Sequence, residues 1–224
     1  MTTVLIADDH PLFRRALAQT VREQVAAAQV LEAGTLAETV DCLRRHREVD
    51  LVLLDLHMPG SRGLMGLAGL RAEFPAVAMV MISAHDDPHT VARAMDCGAM
   101  GFIPKSAGPE QLGEALNAVL ECGDYLPDRL RREIDALKRS GDADDGVARR
   151  LASLSPQQHR VLALVAEGRL NKQIADVLGI QERTVKAHLT GIFERLGVRN
   201  RTQAGVLLRS LDLGDPSRDA DMPG

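Results

Sequence analysis

Residues 51–60 read LVLLDLHMPG, and the run LVLL closing on Asp55 decides the fold. Four apolar residues in a row, ended by an acid and a Pro-Gly turn, predict a strand buried on both faces. Such a strand belongs to a parallel sheet covered by helices on each side. Working outward, short apolar runs recur at 4–7, 30–33, 77–82 and 99–103. Helical periodicity lies between them, over 12–25, 36–43, 88–95 and 109–120. A weaker helical stretch over 64–73 is diluted by Gly66 and Gly69. Thr35 with Glu38 forms a capping-box pattern, and Asp87 stands as N-cap before Pro88. Five strands alternating with five helices predict an α/β, doubly wound, five-stranded parallel sheet over residues 1–122.

The pattern changes after Gly123. Residues 123–150 read as a linker: an amphipathic helix over 128–139 carries Leu130, Ile134 and Leu137 on one face, and SGDADDG at 140–146 is a polar hinge. Residues 151–211 read as a small all-α domain. Ser155 caps a helix beginning at Pro156, Asn171 caps a short helix stopped by Gly179, and a longer helix over 182–196 is closed by Gly197. A short helix, a glycine turn and a longer helix make a helix-turn-helix, whose second helix enters the major groove of DNA. Residues 212–224 are polar, with two prolines, and are expected to be a disordered tail.

Bulk properties narrow the function classes. Of the 224 residues, 45% are hydrophobic and 26% charged, with no Trp, so the core must rest on aliphatic residues and Met. No basic-then-apolar leader opens the sequence and no apolar run reaches membrane-spanning length, so a cytoplasmic protein without a membrane partner is expected. Cys42, Cys97 and Cys122 lack metal or redox spacing and read as reduced, semi-buried thiols. The net charge of −4 is unevenly spread: residues 149–210 carry 11 Lys or Arg against 4 Asp or Glu, a balance of +7, leaving −11 elsewhere. An acidic body joined to a basic block implies that the block meets an anion such as nucleic acid.

In open α/β sheets ligands gather at the carboxyl ends of the strands. Asp8, Asp9, Asp55, Ser83 and Lys105 all fall there. Three carboxylates at one sheet edge require a cation, and a hard divalent ion with oxygen ligands, Mg²⁺ or Mn²⁺, fits. A carboxylate beside such an ion is a nucleophile toward phosphorus, with Lys105 and the Ser83 hydroxyl as donors to the phosphoryl oxygens. His10, His57, His85 and His89 share the same loops, and a transition-metal site is the alternative use of them. His57 and His85, each two residues past a site residue, are expected to tune the lifetime of a phosphoryl group.

The segments VLIADDHPLFRRAL, DLVLLDLHMPG, MVMISAHDD and GAMGFIPKS resemble the receiver domain of bacterial response regulators over the whole of 1–122. The resemblance implies that Asp55 is the phosphoacceptor, charged by a sensor histidine kinase. It implies a metal held by Asp9, Asp55 and the His57 carbonyl, with Asp8 acting through water. Ser83 and Lys105 match the phosphoryl-contacting positions, with Ala84 beside them, and Phe102 matches the aromatic switch. Ser106 follows Lys105 where many receivers carry proline, so no cis peptide is expected there. Phe in place of Tyr leaves the switch to packing alone.

In the basic domain, Thr184, Lys186, Ala187, His188 and Thr190 lie on the face of the longer helix opposite its apolar residues, and suit phosphate and base-edge contact. LSPQQHRVLALVAEG, NKQIADVLGI and RTVKAHLTGIFERLGVRNRTQA resemble the LuxR/FixJ type of DNA-binding domain. By that resemblance Lys186, Ala187, His188 and Thr190 face the groove, with Val185 in the same DNA-binding set. Lys172 and Thr184 would meet the backbone, and the last helix would pair two copies. Gln158 and Arg160 depart from the family, which often has acids there, so the usual salt bridges of that helix are not expected. Together the halves resemble NarL/FixJ response regulators: homodimeric when phosphorylated or DNA-bound, and not enzymes beyond phosphoryl transfer to themselves. The alternatives are a Mg²⁺-dependent phosphohydrolase, for which no cap domain is visible, and a DNA-binding protein with a vestigial receiver.

Overall fold

A sheet whose central strands are buried along their whole length must be covered on both sides, and this one is. The computed structural model describes residues 2–61, 63–140 and 146–211. Five strands, β1 (Thr3–Ala7), β2 (Gln29–Ala33), β3 (Leu51–Asp55), β4 (Ala78–Ser83) and β5 (Gly101–Pro104), pair in parallel in the order β2-β1-β3-β4-β5. Alternate residues point to opposite faces. Leu5, Val52, Leu54, Met79, Met81 and Phe102 fill one core with Leu43, Leu64, Leu67 and Val91. Ile6, Leu51, Leu53, Val80, Ile82 and Ile103 fill the other with Leu17, Val21, Leu112 and Leu116. Each such side chain contributes about 1.5–3 kcal/mol on leaving water.

The covering helices are α1 (Pro11–Gln24), α2 (Leu36–Arg45), α3 (Leu64–Glu73), α4 (Pro88–Asp96) and α5 (Pro109–Leu120). Thr35 and Asp87 cap α2 and α4, accepting from the backbone of Glu38 and Thr90. The weakly patterned α3 forms because its Leu64, Leu67 and Leu70 are buried, and because Gly66 admits Ser61: a Cβ there would stand 2.7 Å from Ser61 Oγ.

After α5, Tyr125 lies along the sheet edge, its carbonyl accepting from Phe102 N at 3.0 Å and its N–H donating to the Met100 carbonyl at 3.0 Å. Helix α6 (Asp128–Ser140) then packs on α4 through Leu130 and Ile134, both buried. Helix α7 (Val147–Ala152) has no counterpart in the sequence reading, which placed these residues in the linker and the domain start. Six residues are too few to hold a helix alone. Burial of Val147, Ala148 and Leu151 against α3 and α4 makes this one. Most of the expected hinge and all of the expected tail lie outside the described residues.

The C-terminal helices are α8 (Pro156–Ala166), α9 (Asn171–Leu178), α10 (Glu182–Leu196) and α11 (Arg201–Leu211). Ser155 and Gln158 form a reciprocal cap on α8. Asn171, expected to cap α9, does not. It is the first helical residue, and Gln173 Oε1 accepts from Leu170 N at 2.8 Å instead. Gly179 ends α9 at φ 64°, the left-handed turn that lets α10 follow at an angle. Cys42 and Cys97 are buried, but Cys122 is exposed rather than semi-buried, because it sits on the turn after α5.

Candidate functional site

The register places the site. Asp55 pairs with Ile82 across β3 and β4, and Ser83 with Pro104 across β4 and β5, so Asp55, Ser83 and Lys105 leave adjacent strands at one edge. Asp8 follows β1 on the other side of β3. Asp8, Asp55 and Ser83 are each 1% exposed. Lys105 Nζ lies 2.6 Å from Asp8 Oδ2 and 2.8 Å from Asp55 Oδ2. Burial works against this ammonium, yet the hydrogen bonds and charges of Asp55 and Asp8 outweigh it and hold the lysine above its ordinary value. The N–H of His57 donates to Asp55 Oδ1 at 3.1 Å, and that of His85 to Ser83 Oγ at 3.1 Å. Ligand atoms of Asp8, Asp9, His10 and Asp55 lie within 4.8 Å of one another. Three carboxylates against one lysine leave the edge negative, which is the donor set a small divalent cation requires.

Of the four loop histidines, His10 joins the acids, its Nδ1 2.8 Å from Asp9 Oδ1. His57 and His85 face each other with ring centroids 5.5 Å apart. His89 is elsewhere, on the cleft between α4 and α6. Phe102 is fully buried beneath the site, and Ala84 is exposed at its rim. All peptide bonds among the described residues are trans, Lys105–Ser106 included. Two partners were not anticipated. Phe13 lies 4.9 Å beneath the Lys105 ammonium, and Arg14 Nη1 donates to the Asp8 carbonyl at 2.6 Å. Both stand on the first turn of the helix that opens directly after the acid pair, and that adjacency was the available signal.

A second surface lies on α10. Lys186, Ala187 and Thr190 are exposed, Thr184 and His188 half-buried, and Lys172 is exposed on α9. Val185, expected among the DNA-binding residues, is fully buried. It occupies the apolar stripe with Leu189, Ile192 and Leu196, so it packs the domain and cannot touch a ligand. The helices around α10 are α7, α8, α9 and α11, and its outer face is open. The two departures in α8 have structural partners. Gln158 Oε1 accepts from Arg195 at 3.1 Å, replacing an ion pair with a hydrogen bond. Arg160 turns to the first domain and meets Glu73 Oε2 at 2.9 Å.

Residues 4–117 match the response regulator receiver domain, and residues 152–208 match the bacterial regulatory proteins of the luxR family. The chain is 40% identical over 214 residues to a glycerol metabolism activator of Pseudomonas putida, covering 95% of this chain and 97% of that one. It is 34% identical to the nitrate/nitrite response regulator protein NarP of Escherichia coli, over 91% and 93% of the two chains. Its fold is similar to the RcsB response regulator of Salmonella typhimurium, with TM-score 0.57, 24% identity and 93% and 98% coverage. A LuxR family DNA-binding response regulator from Silicibacter pomeroyi matches 58% of the chain at 35% identity, with TM-score 0.51. Among the described residues no helix is long and apolar enough to cross a membrane. With an acid-lined sheet edge in one domain, an open helix-turn-helix in the other, and relatives spanning nearly its whole length, the chain belongs to the response regulators of the NarL/FixJ type, transcriptional regulators that couple a receiver to a LuxR-type DNA-binding domain.

Proposed function

We propose that Asp55 accepts a phosphoryl group from a sensor histidine kinase and that this controls binding of the C-terminal domain to double-stranded DNA. The observation that carries the reading is Lys105 bridging the two buried carboxylates Asp8 and Asp55 at the strand ends. Asp55 Oδ attacks phosphorus, the bond from phosphorus to the donor's imidazole nitrogen breaks, and that nitrogen takes up a proton. Mg²⁺ or Mn²⁺, held by Asp8, Asp9, Asp55 and the His57 carbonyl, would supply charge neutralisation for the transferring oxygens. Lys105 holds its ammonium beside Asp55, where a phosphoryl oxygen would arrive, and Ser83 offers its hydroxyl from the next strand. Phe102, packed behind the site, gives the switch a side chain that can respond when Ser83 moves.

Asp86, three residues past Ser83, pairs with Arg129 of α6, and Phe102 N bonds the Tyr125 carbonyl ahead of that helix. Movement at the phosphoryl site therefore has a path into the linker. Lys172 and Thr184 suit DNA phosphates, and Lys186, Ala187, His188 and Thr190 suit the major groove. Pairing through α11 would set two such helices on half-sites about one turn apart. No catalysis beyond phosphoryl transfer to Asp55 and its hydrolysis is proposed, and the reading places the protein in the cytoplasm.

The test is incubation with Mg²⁺ and a small acyl phosphate, reading intact mass and DNA affinity, with Asp55→Asn alongside. A base-labile gain of one phosphoryl group, absent from the variant and accompanied by tighter DNA binding, is the expected result. A group that persists in Asp55→Asn overturns the assignment.

A further inference from the structure

The second domain docks on the first through α8 lying along α3, beside α7 on α3 and α4. Arg160 makes that contact ionic, sharing Glu73 with Arg44 of α2, each pair at 2.9 Å. The preceding residue, His159, makes it close. Gly69 of α3 carries no side chain to separate the two helices, and a Cβ placed there would stand 3.9 Å from His159 Cβ. His159 is only 6% exposed, and it lines the cleft between α3 and α8 together with Gly69, Leu70 and Glu73. Its ring bonds the Leu151 carbonyl, while Nε2 is buried with no hydrogen-bond partner. An imidazole in that position is stable only as the neutral form, because a second proton would create a cation with nothing to accept from it.

The charges around it do not relieve this. Of the neighbouring helices, α7 carries Arg149 and Arg150 and α11 carries Arg201, while the acids Asp176 of α9 and Glu182 and Glu194 of α10 are exposed and do not line its cleft. Among the described residues, Glu73 of α3 is the one acid lining the cleft from the receiver, and it is already committed to Arg44 and Arg160. Glu167, also on the cleft, is the residue that ends α8 and pairs with Arg169. Burial pushes His159 down to about 4, offset only in part by the Leu151 carbonyl.

We propose that His159 makes the docking of the DNA-binding domain on the receiver acid-sensitive, protonation of the imidazole releasing α8 from α3. A histidine with a depressed pKa in the docked form binds its proton preferentially in the released form. Docking is therefore strongest above the ordinary value of 6.5 and weakens as pH falls through 6.5 toward about 4. With those two values, the ratio of released to docked protein rises about tenfold between pH 7.5 and 5.5. Glu73 does not share the response. Burial raises its carboxyl, but Arg160 and Arg44 hold it below the usual range, so its ion pairs persist through that interval.

The experiment is resonance energy transfer in the full chain between labels on Cys122, exposed on the receiver, and on Asp176→Cys in α9, with and without His159→Gln. The unsubstituted histidine should give the tenfold rise, and His159→Gln a ratio flat within about twofold. A flat ratio in the presence of His159, or a rise that survives His159→Gln, overturns the proposal. Should His159→Gln fail to fold, the imidazole proton resonance of His159 in the unsubstituted chain decides. It must titrate together with the distance change, and titration near 6.5 with the distance unchanged overturns the proposal.

Discussion

Replacing Lys105 with Met keeps the length of the side chain and removes its charge. The consequence follows from the two short contacts, 2.6 Å to Asp8 and 2.8 Å to Asp55, made to carboxylates that are each 1% exposed. Breaking a buried pair leaves an uncompensated charge and costs about 3–5 kcal/mol. The Lys105 side chain is itself 16% exposed, and water reaching its end reduces the loss. A destabilisation of about 3 kcal/mol in the receiver is expected, read as a lowered urea midpoint without divalent ions. Added Mg²⁺ should restore more stability to Lys105→Met than to the unsubstituted protein, because it then meets three carboxylates with no lysine among them. A loss below about 1 kcal/mol without metal, or equal stabilisation by Mg²⁺ in both proteins, would refute the account of the site as a charge-balanced edge.

Adjacent residues of α10 should separate packing from recognition. Val185→Ala should cost about 2 kcal/mol in the unfolding of the C-terminal domain, while Lys186→Ala should leave that transition alone, weaken DNA binding and lower its salt slope by about 1. Replacing both His57 and His85 by Ala should change the half-life of the aspartyl phosphate, followed by loss of the added mass; an unchanged half-life removes these rings from the hydrolytic step. Ser155→Ala should lower the stability of the same domain by about 1 kcal/mol through loss of its cap, measured by thermal denaturation. Phosphorylation should tighten binding to paired half-sites far more than to a single half-site, measured by titration of labelled duplexes.

The sheet was legible because its signal is local. Strands such as LVLL, apolar at every position, leave no arrangement but burial on both faces, and the acids at their ends then share one edge. What could not be read was whatever depends on partners distant in sequence. Helix α7 exists because α3 and α4 receive it, and no property of VARRLA announces that. Val185 is a different case: it was counted among the DNA-binding residues, although the 3.6-residue apolar stripe it shares with Leu189, Ile192 and Leu196 is legible in the sequence and decides its burial. Gln158 and Arg160 registered only as departures. The first keeps its bond to Arg195, and the second is explained by Glu73, which lies in the other domain.

The openness of α10 bears on what phosphorylation must change. With α8 held on α3, three of the four groove-facing residues, Lys186, Ala187 and Thr190, are still exposed. A mechanism that only uncovered them would have nothing to uncover. Closure instead fixes where the second domain sits. Met65 of α3 and Gly205 and Arg209 of α11 line one cleft between the domains, while Val206 on α11 is 56% exposed. One flank of the expected pairing helix is thereby committed to the receiver and another left open. Asp86–Arg129 and Phe102–Tyr125 connect the acceptor edge to the linker that sets this placement. On the proposed reading, control acts on the geometry of two helix-turn-helix units relative to one another, and the signature expected of it is cooperativity between half-sites rather than affinity for one.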